Sequence, residues 1–328
     1  MINKYKDPVN YKLKEKDLKL GEEFNSFLKE LTDVPSSIPL NGISIDEAGI
    51  TNQHVIVMIQ DIEGRDFSVA VYCDITMKVE LKGHRGIHMS RCEEILFDAC
   101  STAYKSLDDF AIVLAKNLKD KQESDISQVR IIGTYLHKRL TRVTKKESQD
   151  KLYLISNVTL RGEKLEVQTG IKAYNMTACP CTRTFTKYSV IPKLIELGLN
   201  KDLIQQILDI THSGTHTQRG TISLMIDNHE NQISHRQLYS VLDNSCHLIY
   251  ELLKRPDEHD LVVRALNKPQ FTEDVVREVA HDAVNMFVDC PKNTRLRVES
   301  ILLDSIHIHD VCTLIDKSFL EIRNELDQ

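Results

Sequence analysis

At 328 residues the chain is roughly two average domains long, ample for a sizeable core. Its composition, 41% hydrophobic and 27% charged with 12 Gly and 8 Pro, excludes collagen-like and wholly disordered chains. A net charge of −6, from 48 acidic against 42 basic residues, argues against a general nucleic-acid binder, so an anionic ligand must meet a local basic pocket.

Residues 1–33 read as a polar leader with one amphipathic helix around Asp17–Leu31. Met1–Lys16 is Lys-rich with no apolar stretch behind it, and nowhere does an apolar run reach the roughly 18–20 residues of a membrane-spanning helix. The expectation is a cytoplasmic protein without a membrane or nucleic-acid partner. The first unit, 34–162, opens with Val55–Asp61, which pairs through the turn Glu63-Gly64 with Phe67–Leu81. In the latter every odd position is apolar, the mark of a long strand with one buried face. A helical stretch from Arg91 to Lys121 divides near Ser106, where Ser106-Leu107-Asp108-Asp109 reads as an N-terminal cap. Strands follow at Gln128–Leu136 and Leu152–Leu160. The basic segment between them (Lys138, Arg139, Arg142, Lys145, Lys146) reads as a solvated hairpin tip.

The second unit, 163–328, repeats the order. Strands are predicted at Lys164–Lys172 and Gly220–Ile226, helices at His235–Lys254 and Glu273–Phe287, and strands again at Thr294–Leu302 and Val311–Phe319. Val276, Ala280, Ala283 and Phe287 form one helical stripe. A helical insertion, about 185–211, breaks the symmetry. The class is α+β: two tandem units, each an antiparallel sheet with a helical layer on one face.

Eight cysteines without a ladder of spacings are not a disulfide framework, and 13 His make metal ligation worth pursuing. Thr177-Ala178-Cys179-Pro180-Cys181 holds two thiols near one point, which suits a borderline metal, an activated thiolate, or merely two loop cysteines. His212–Gly220 gathers imidazole, amide and guanidinium before a strand, able to hold an anion or move a proton and equally consistent with a polar strand entry. In Asp304-Ser305-Ile306-His307-Ile308-His309-Asp310, strand geometry would point His307 and His309 to one side, as ligands or as exposed strand-end residues. Lys254–His259 reads as a charged helix C-terminus stopped by Pro256, and Glu273 as a carboxylate complementing a helix dipole. In combination, one thiolate, one carboxylate and one imidazole are enough for a catalytic metal with an open position.

These segments resemble the GTP cyclohydrolase IB family and, within it, the archaeal-type MptA branch. The resemblance rests on Gly86-Ile87-His88-Met89-Ser90-Arg91, Thr177–Cys181, His216-Thr217-Gln218-Arg219-Gly220, Ile249–Glu258, Asn267–Arg277 and Asp304–His309. They occur in the family's order and span about Ile43 to His309. The long gap from Cys181 to His216 is that of the archaeal-type branch. This chain departs at Thr217, where the family has Asn, at Asp304, where it has Glu, and at Ile308, where it has Asn.

The resemblance implies the tunnelling fold, two units per chain closing barrels in a homotetramer, with active sites between subunits. It implies hydrolytic opening of the guanine imidazole ring of GTP, release of formate and formation of a 7,8-dihydroneopterin phosphate, cyclic or triphosphate, for folate or tetrahydromethanopterin synthesis. By position, Cys179, Glu258 and His307 would ligate the metal, with Fe(II) ranked first and Mn(II) or Zn(II) as alternatives. His216 would be a further ligand or proton shuttle, and Cys181, Asp304 and His309 would transfer protons. Glu273 would anchor guanine; Lys82, His88, Arg91 and Arg219 are, on charge grounds, the candidates to meet the triphosphate. Competing readings are another tunnelling-fold purine or pterin enzyme, or a non-catalytic metal- or purine-binding protein.

Overall fold

The computed structural model describes residues 33–228, 232–252 and 254–327, so the helix expected around Asp17–Leu31 lies outside them. β1 (Ile45–Gln60) and β2 (Ser68–Leu81) form the expected antiparallel hairpin, with Val57 opposite Val71. The odd-numbered face of β2 is buried from Val71 to Leu81. α1 (Met89–Cys100), the two-residue β3 (Ala103–Tyr104) and α2 (Leu107–Gln122) follow. Ser106 starts α2 as predicted, its hydroxyl oxygen accepting from the Asp109 N–H at 3.1 Å. Leu107, Phe110, Ala111, Leu114 and Leu118 turn one side of that helix onto the sheet. Burying each of the larger side chains contributes about 1.5–3 kcal/mol.

β4 (Ile126–Leu140) and β5 (Glu147–Arg161) extend the sheet and outrun their predicted ends. Their hairpin tip is not wholly solvated. Arg139 is half-buried: it pairs with Asp150, donates to the Tyr239 hydroxyl at 2.8 Å and to Asp243 at 3.1 Å, and lies 3.6 Å above the Tyr250 ring. A charge at the tip turned inward because two carboxylates and an aromatic face await it there.

β6 (Lys164–Ala178) begins the second half. The insertion forms α3 (Pro180–Ser189), α4 (Ile191–Glu196) and α5 (Lys201–Ile210) before β7 (Thr217–Asp227). α6 (His235–Ser245) ends well before the expected Lys254. The reason lies in β6: β5 pairs with it only up to Lys172, opposite Tyr153. Beyond that point the ladder groups of β6 need another partner, and β8 (His247–Leu248) supplies it. α7 (Arg255–Asn267) then starts where the sequence reading ended a helix. Pro256 sits in its first turn, where no backbone donor is needed. Asp257 fastens this helix to the first half, accepting from the Val143 and Thr144 N–H groups, each at 3.0 Å.

α8 (Thr272–Met286) buries Val276, Ala280 and Ala283, with Phe287 just beyond its end, the predicted stripe. β9 (Arg295–Leu302) and β10 (Val311–Ser318) pair antiparallel. The last predicted strand stops at Ser318, which caps an unforeseen α9 (Phe319–Leu326) by accepting from the Glu321 N–H. The strands join in one sheet, ordered β10-β9-β7-β6-β5-β4-β2-β1-β3, with β8 attached to β6. Its long strands therefore run β1-β2-β4-β5 and β6-β7-β9-β10, the same order in each half. Residues from α1, α2, α6 and α8 share a single core with the sheet. No helix among the described residues is long and apolar enough to cross a membrane.

Candidate functional site

Antiparallel register brings four separate segments to one end of the second half. Ala178, the last residue of β6, lies opposite Thr217, the first of β7, so Cys179 and His216 are neighbours. The Cys179 N–H donates to the His216 carbonyl at 3.2 Å, and the Thr215 hydroxyl donates to the Cys179 carbonyl at 3.0 Å. β9 approaches β7 closely at Gly220, where any Cβ would lie 2.6 Å from the Ile301 carbonyl oxygen. The loop after β9 is thereby drawn beside His216, whose Nδ1 stands 3.2 Å from the Ser305 hydroxyl. The N-terminal turn of α8 supplies the fourth wall.

A cavity of about 340 Å³ lies among these segments, lined by Cys179, His216, Gln218, Glu273, Asp304 and His307. Phe271, Thr272 and Thr182 also line it and had no sequence signal beyond adjacency to Glu273 and Cys181. The hydroxyl of Thr272 and the side-chain oxygen of Gln218 are buried without a hydrogen-bond partner among the described residues.

Residues 304–310 form a loop rather than a strand, so strand alternation does not orient the two histidines. Asp304 causes this locally: one carboxylate oxygen accepts from the Ile306 and His307 N–H groups at 2.8 and 3.2 Å, an arrangement that competes with the sheet ladder. The two imidazoles still stand 5.1 Å apart. The other Asp304 oxygen is 3.2 Å from His307 Nδ1. The Ile306 N–H, followed by His307, holds the Asp304 carboxyl below its ordinary value. A carboxylate on Nδ1 leaves Nε2 of His307 as the acceptor, the tautomer a metal or a proton donor requires.

The other expected residues stand elsewhere. Cys181 is exposed in the first turn of α3 and His309 is exposed in the loop; neither lines the cavity. Glu258 is exposed in the first turn of α7 and does not line it either. Among the described residues no three His, Cys, Asp or Glu side chains stand close enough to hold a metal ion. The donors on the cavity wall are nevertheless of the borderline kind, one thiol and two imidazoles, that suits iron, manganese or zinc.

Lys82, His88 and Arg91 lie at the opposite end of the sheet. Val79 is level with Ser127, Ser127 with Leu160, and Leu160 with Leu165 at the start of β6. Cys179 follows the other end of β6, a 15-residue strand that spans about 50 Å. All three side chains have local partners: Lys82 with Glu80 at 2.8 Å, His88 with Asp33 at 2.7 Å, and Arg91 with the Lys121 carbonyl at 2.7 Å. Arg219 instead opens onto a second cavity, at the fork where β5 leaves β6.

Comparison with known proteins places the chain among its relatives. The family model described as Type I GTP cyclohydrolase folE2 matches residues 31–313. GTP cyclohydrolase MptA of Methanococcus aeolicus is 30% identical over 308 residues, covering 90% of this chain and 99% of that protein. GTP cyclohydrolase MptA of Methanococcus maripaludis is 27% identical over 310 residues, covering 90% and 98%. Among solved structures, uricase from Arthrobacter globiformis covers 83% of this chain and 93% of its own at 8% identity and a TM-score of 0.45. That likeness is too loose for either fold or activity to follow from it.

Proposed function

Because the chain belongs to the type I GTP cyclohydrolase family, we propose that its second-half cavity opens the imidazole ring of GTP, releasing C8 as formate and yielding a 7,8-dihydroneopterin phosphate. The chain is a GTP cyclohydrolase of pterin biosynthesis by that membership. Dependence on metal, the archaeal-type subclass and the product are the further reading. The observation that carries it is the convergence of Cys179, His216, Asp304, His307 and Glu273 on one cavity from four separate segments.

Glu273 binds the base. A single carboxylate accepts hydrogen bonds from both the ring N–H and the exocyclic amine of guanine, and the first turn of α8 favours its negative charge. His216, with Nδ1 on Ser305, has Nε2 available to carry a proton to or from the opened ring. Asp304 holds His307 in one tautomer. Cys179 and His307 would hold the metal, with Fe(II) first and Mn(II) or Zn(II) as alternatives; Glu258, the third ligand by resemblance, lies off this cavity in the single chain. When bound, the metal lowers the pKa of the attacking water to about 7 in favourable sites. Cys181 and His309, exposed in one chain, are assigned to proton transfer in the assembled protein.

Assembly is part of the proposal. The two runs of strands in the same order would be two tunnelling-fold units, and β10 and the β1–β3 edge would pair with other copies to close a barrel, most simply in a homotetramer. Contacts between copies would then also decide whether Glu258, Lys82, His88 and Arg91 reach any site. Anaerobic incubation with GTP and Fe(II), assayed for formate and for the pterin by mass, tests the reaction. No formate from fully metallated protein would sink it.

A further inference from the structure

The first half carries its own counterpart of the Cys179 cavity. Asp61 follows β1 as Cys179 follows β6, and Asp108 is the second residue of α2 as Glu273 is of α8. Asp61 and Asp108 line one cavity of about 320 Å³, just as Cys179 and Glu273 line another. The two helix-start carboxylates differ in what holds them. Glu273 is exposed, with no hydrogen bond to either oxygen among the described residues. Asp108 is 1% exposed, and its Oδ2 accepts from the Thr169 hydroxyl at 2.6 Å. The Asn228 amide donates to Thr169 at 2.7 Å and to the Ile233 carbonyl at 2.8 Å, which leaves the Thr169 proton for Asp108.

The remaining oxygen, Asp108 Oδ1, is buried without a hydrogen-bond partner among the described residues. A buried acceptor in that state carries a free-energy cost that a ligand donor would offset. The other carboxylates and Arg236 are already matched. Asp61 holds Arg65 at 2.7 Å, the Ser106 hydroxyl donates to Asp109 at 2.8 Å, and Arg236 faces Glu63 at 3.4 Å. Lys105 is the exception: it is exposed, and its side chain has no hydrogen bond or ion pair among the described residues. The cavity thus combines one open acceptor at a buried position with one open cation at an exposed one, and Ile59, Ile62 and Ile233 give it an apolar wall.

We propose that this cavity binds a short aliphatic amino acid as its zwitterion: the ammonium donates to Asp108 Oδ1, the carboxylate faces Lys105, and the methylenes lie on the isoleucines. A guanine edge does not fit, because it brings two donors to a carboxylate with one open oxygen. The site is therefore distinct in ligand, as in place, from the one assigned to GTP and does not depend on that assignment.

γ-Aminobutyrate is the probe, titrated calorimetrically into the full-length protein beside butylamine, which keeps only the ammonium, and butyrate, which keeps only the carboxylate. γ-Aminobutyrate should bind most tightly, butylamine about tenfold more weakly for want of the Lys105 contact, and butyrate not measurably. Asp108→Asn, whose amide still accepts from Thr169 but presents N–H₂ in place of Oδ1, should weaken both amines by about tenfold or more. Lys105→Gln, at an exposed position, should lower γ-aminobutyrate to the level of butylamine and leave butylamine unchanged. Guanosine binding should be the same in all three proteins; its loss in Asp108→Asn would assign the cavity to a purine and overturn the proposal. Absence of γ-aminobutyrate binding to the wild-type protein would overturn it too, as would full binding in a folded Asp108→Asn protein or butyrate binding as tight as that of γ-aminobutyrate. Should Asp108→Asn fail to fold, Lys105→Gln decides: a preference for γ-aminobutyrate over butylamine that survives this substitution is equally fatal.

Discussion

At one end of the sheet the two halves place comparable strand ends, and they differ in how the polar groups there are partnered. Where β6 ends in Cys179 and β7 begins after His216, the first half has Asp61 after β1 and Phe67 before β2. Where the second half has the loop 304–310, the first has the β4–β5 hairpin. In the first half the polar groups hold one another. Asp61 receives Arg65 at 2.7 Å and the Tyr135 hydroxyl, His137 faces Glu63 at 2.9 Å, and Arg139 is held by Asp150 and Asp243. In the second half Cys179, Glu273 and His307 face a cavity instead. Cavity size does not separate the two ends, since the larger, about 660 Å³, is at the first. What separates them is that the Cys179 and Glu273 side chains have no hydrogen bond or ion pair among the described residues, whereas Glu63, His137 and Arg139 are paired. Internally paired groups stabilise a fold; groups left facing a cavity are available to a ligand.

The contrast is broken most severely at Cys179. Cys179→Ala should remove tight metal binding and lower turnover by about 10³-fold or more, since a thiolate supplies both charge and a bond. Cys181→Ala should keep most of the metal and lose only part of the rate. Metal content by mass spectrometry beside formate release checks both. Equal metal and equal activity in the two variants would show that Cys179 has no special place.

Glu273→Gln comes next. The amide keeps the shape but offers one acceptor where guanine presents two donors, and its own N–H₂ would face a ring N–H. Losing these contacts should cost roughly 10²–10⁴-fold in kcat/KM, with the thermal midpoint unchanged because the side chain is exposed. An unaltered kcat/KM would reduce Glu273 to a helix-terminus charge.

That Glu273 and Cys179 were legible in sequence, and parts of their surroundings were not, has a physical cause. Period-two alternation in Phe67–Leu81 and the Val276–Phe287 stripe report burial on one face, which the chain shows locally. Ser106 and its acidic first turn report a cap, also local. The end of α6 at Ser245 depends on β5 leaving β6, a non-local event with no mark in residues 246–254. Pro256 carries two meanings, stop and start, and only the packing of Asp257 on the 143–144 backbone decides between them. The inward turn of Arg139 needs Tyr250 and Asp243, each about a hundred positions away in sequence.

Asp61→Asn tests the paired end and should be felt in stability alone. Burial pushes the Asp61 carboxyl up, but Arg65 and the Tyr135 hydroxyl outweigh it, so the group sits below its ordinary value. A depressed folded pKa contributes stability above the unfolded value near 4 and loses it as pH falls through the folded one. The variant should be less stable by about 1–3 kcal/mol at pH 7. The gap should close as the medium is acidified below about pH 4, while formate release is unchanged. A gap independent of pH would mean that shape, and not charge, matters at Asp61.

The smallest expected effect is that of metal removal on assembly. Among the described residues no further strand lies beside β10 or the β1–β3 edge, and open edges of this kind recruit other strands. Leu314 and Ile56 lie exposed on these edge strands, which adds apolar area to any pairing. If oligomerisation pairs those edges, the contacts that hold the assembly run along whole strands, whereas the proposed metal touches only loop and helix-start residues at one end. Chelator-treated protein should therefore sediment as the same oligomer as metallated protein, with activity lost and recovered on adding Fe(II). A monodisperse monomer that regains full activity would contradict sites and edges shared between copies. Dissociation on chelation alone would make the metal part of the scaffold, and the second-half end would then resemble the first, its groups held by a partner for the sake of the fold.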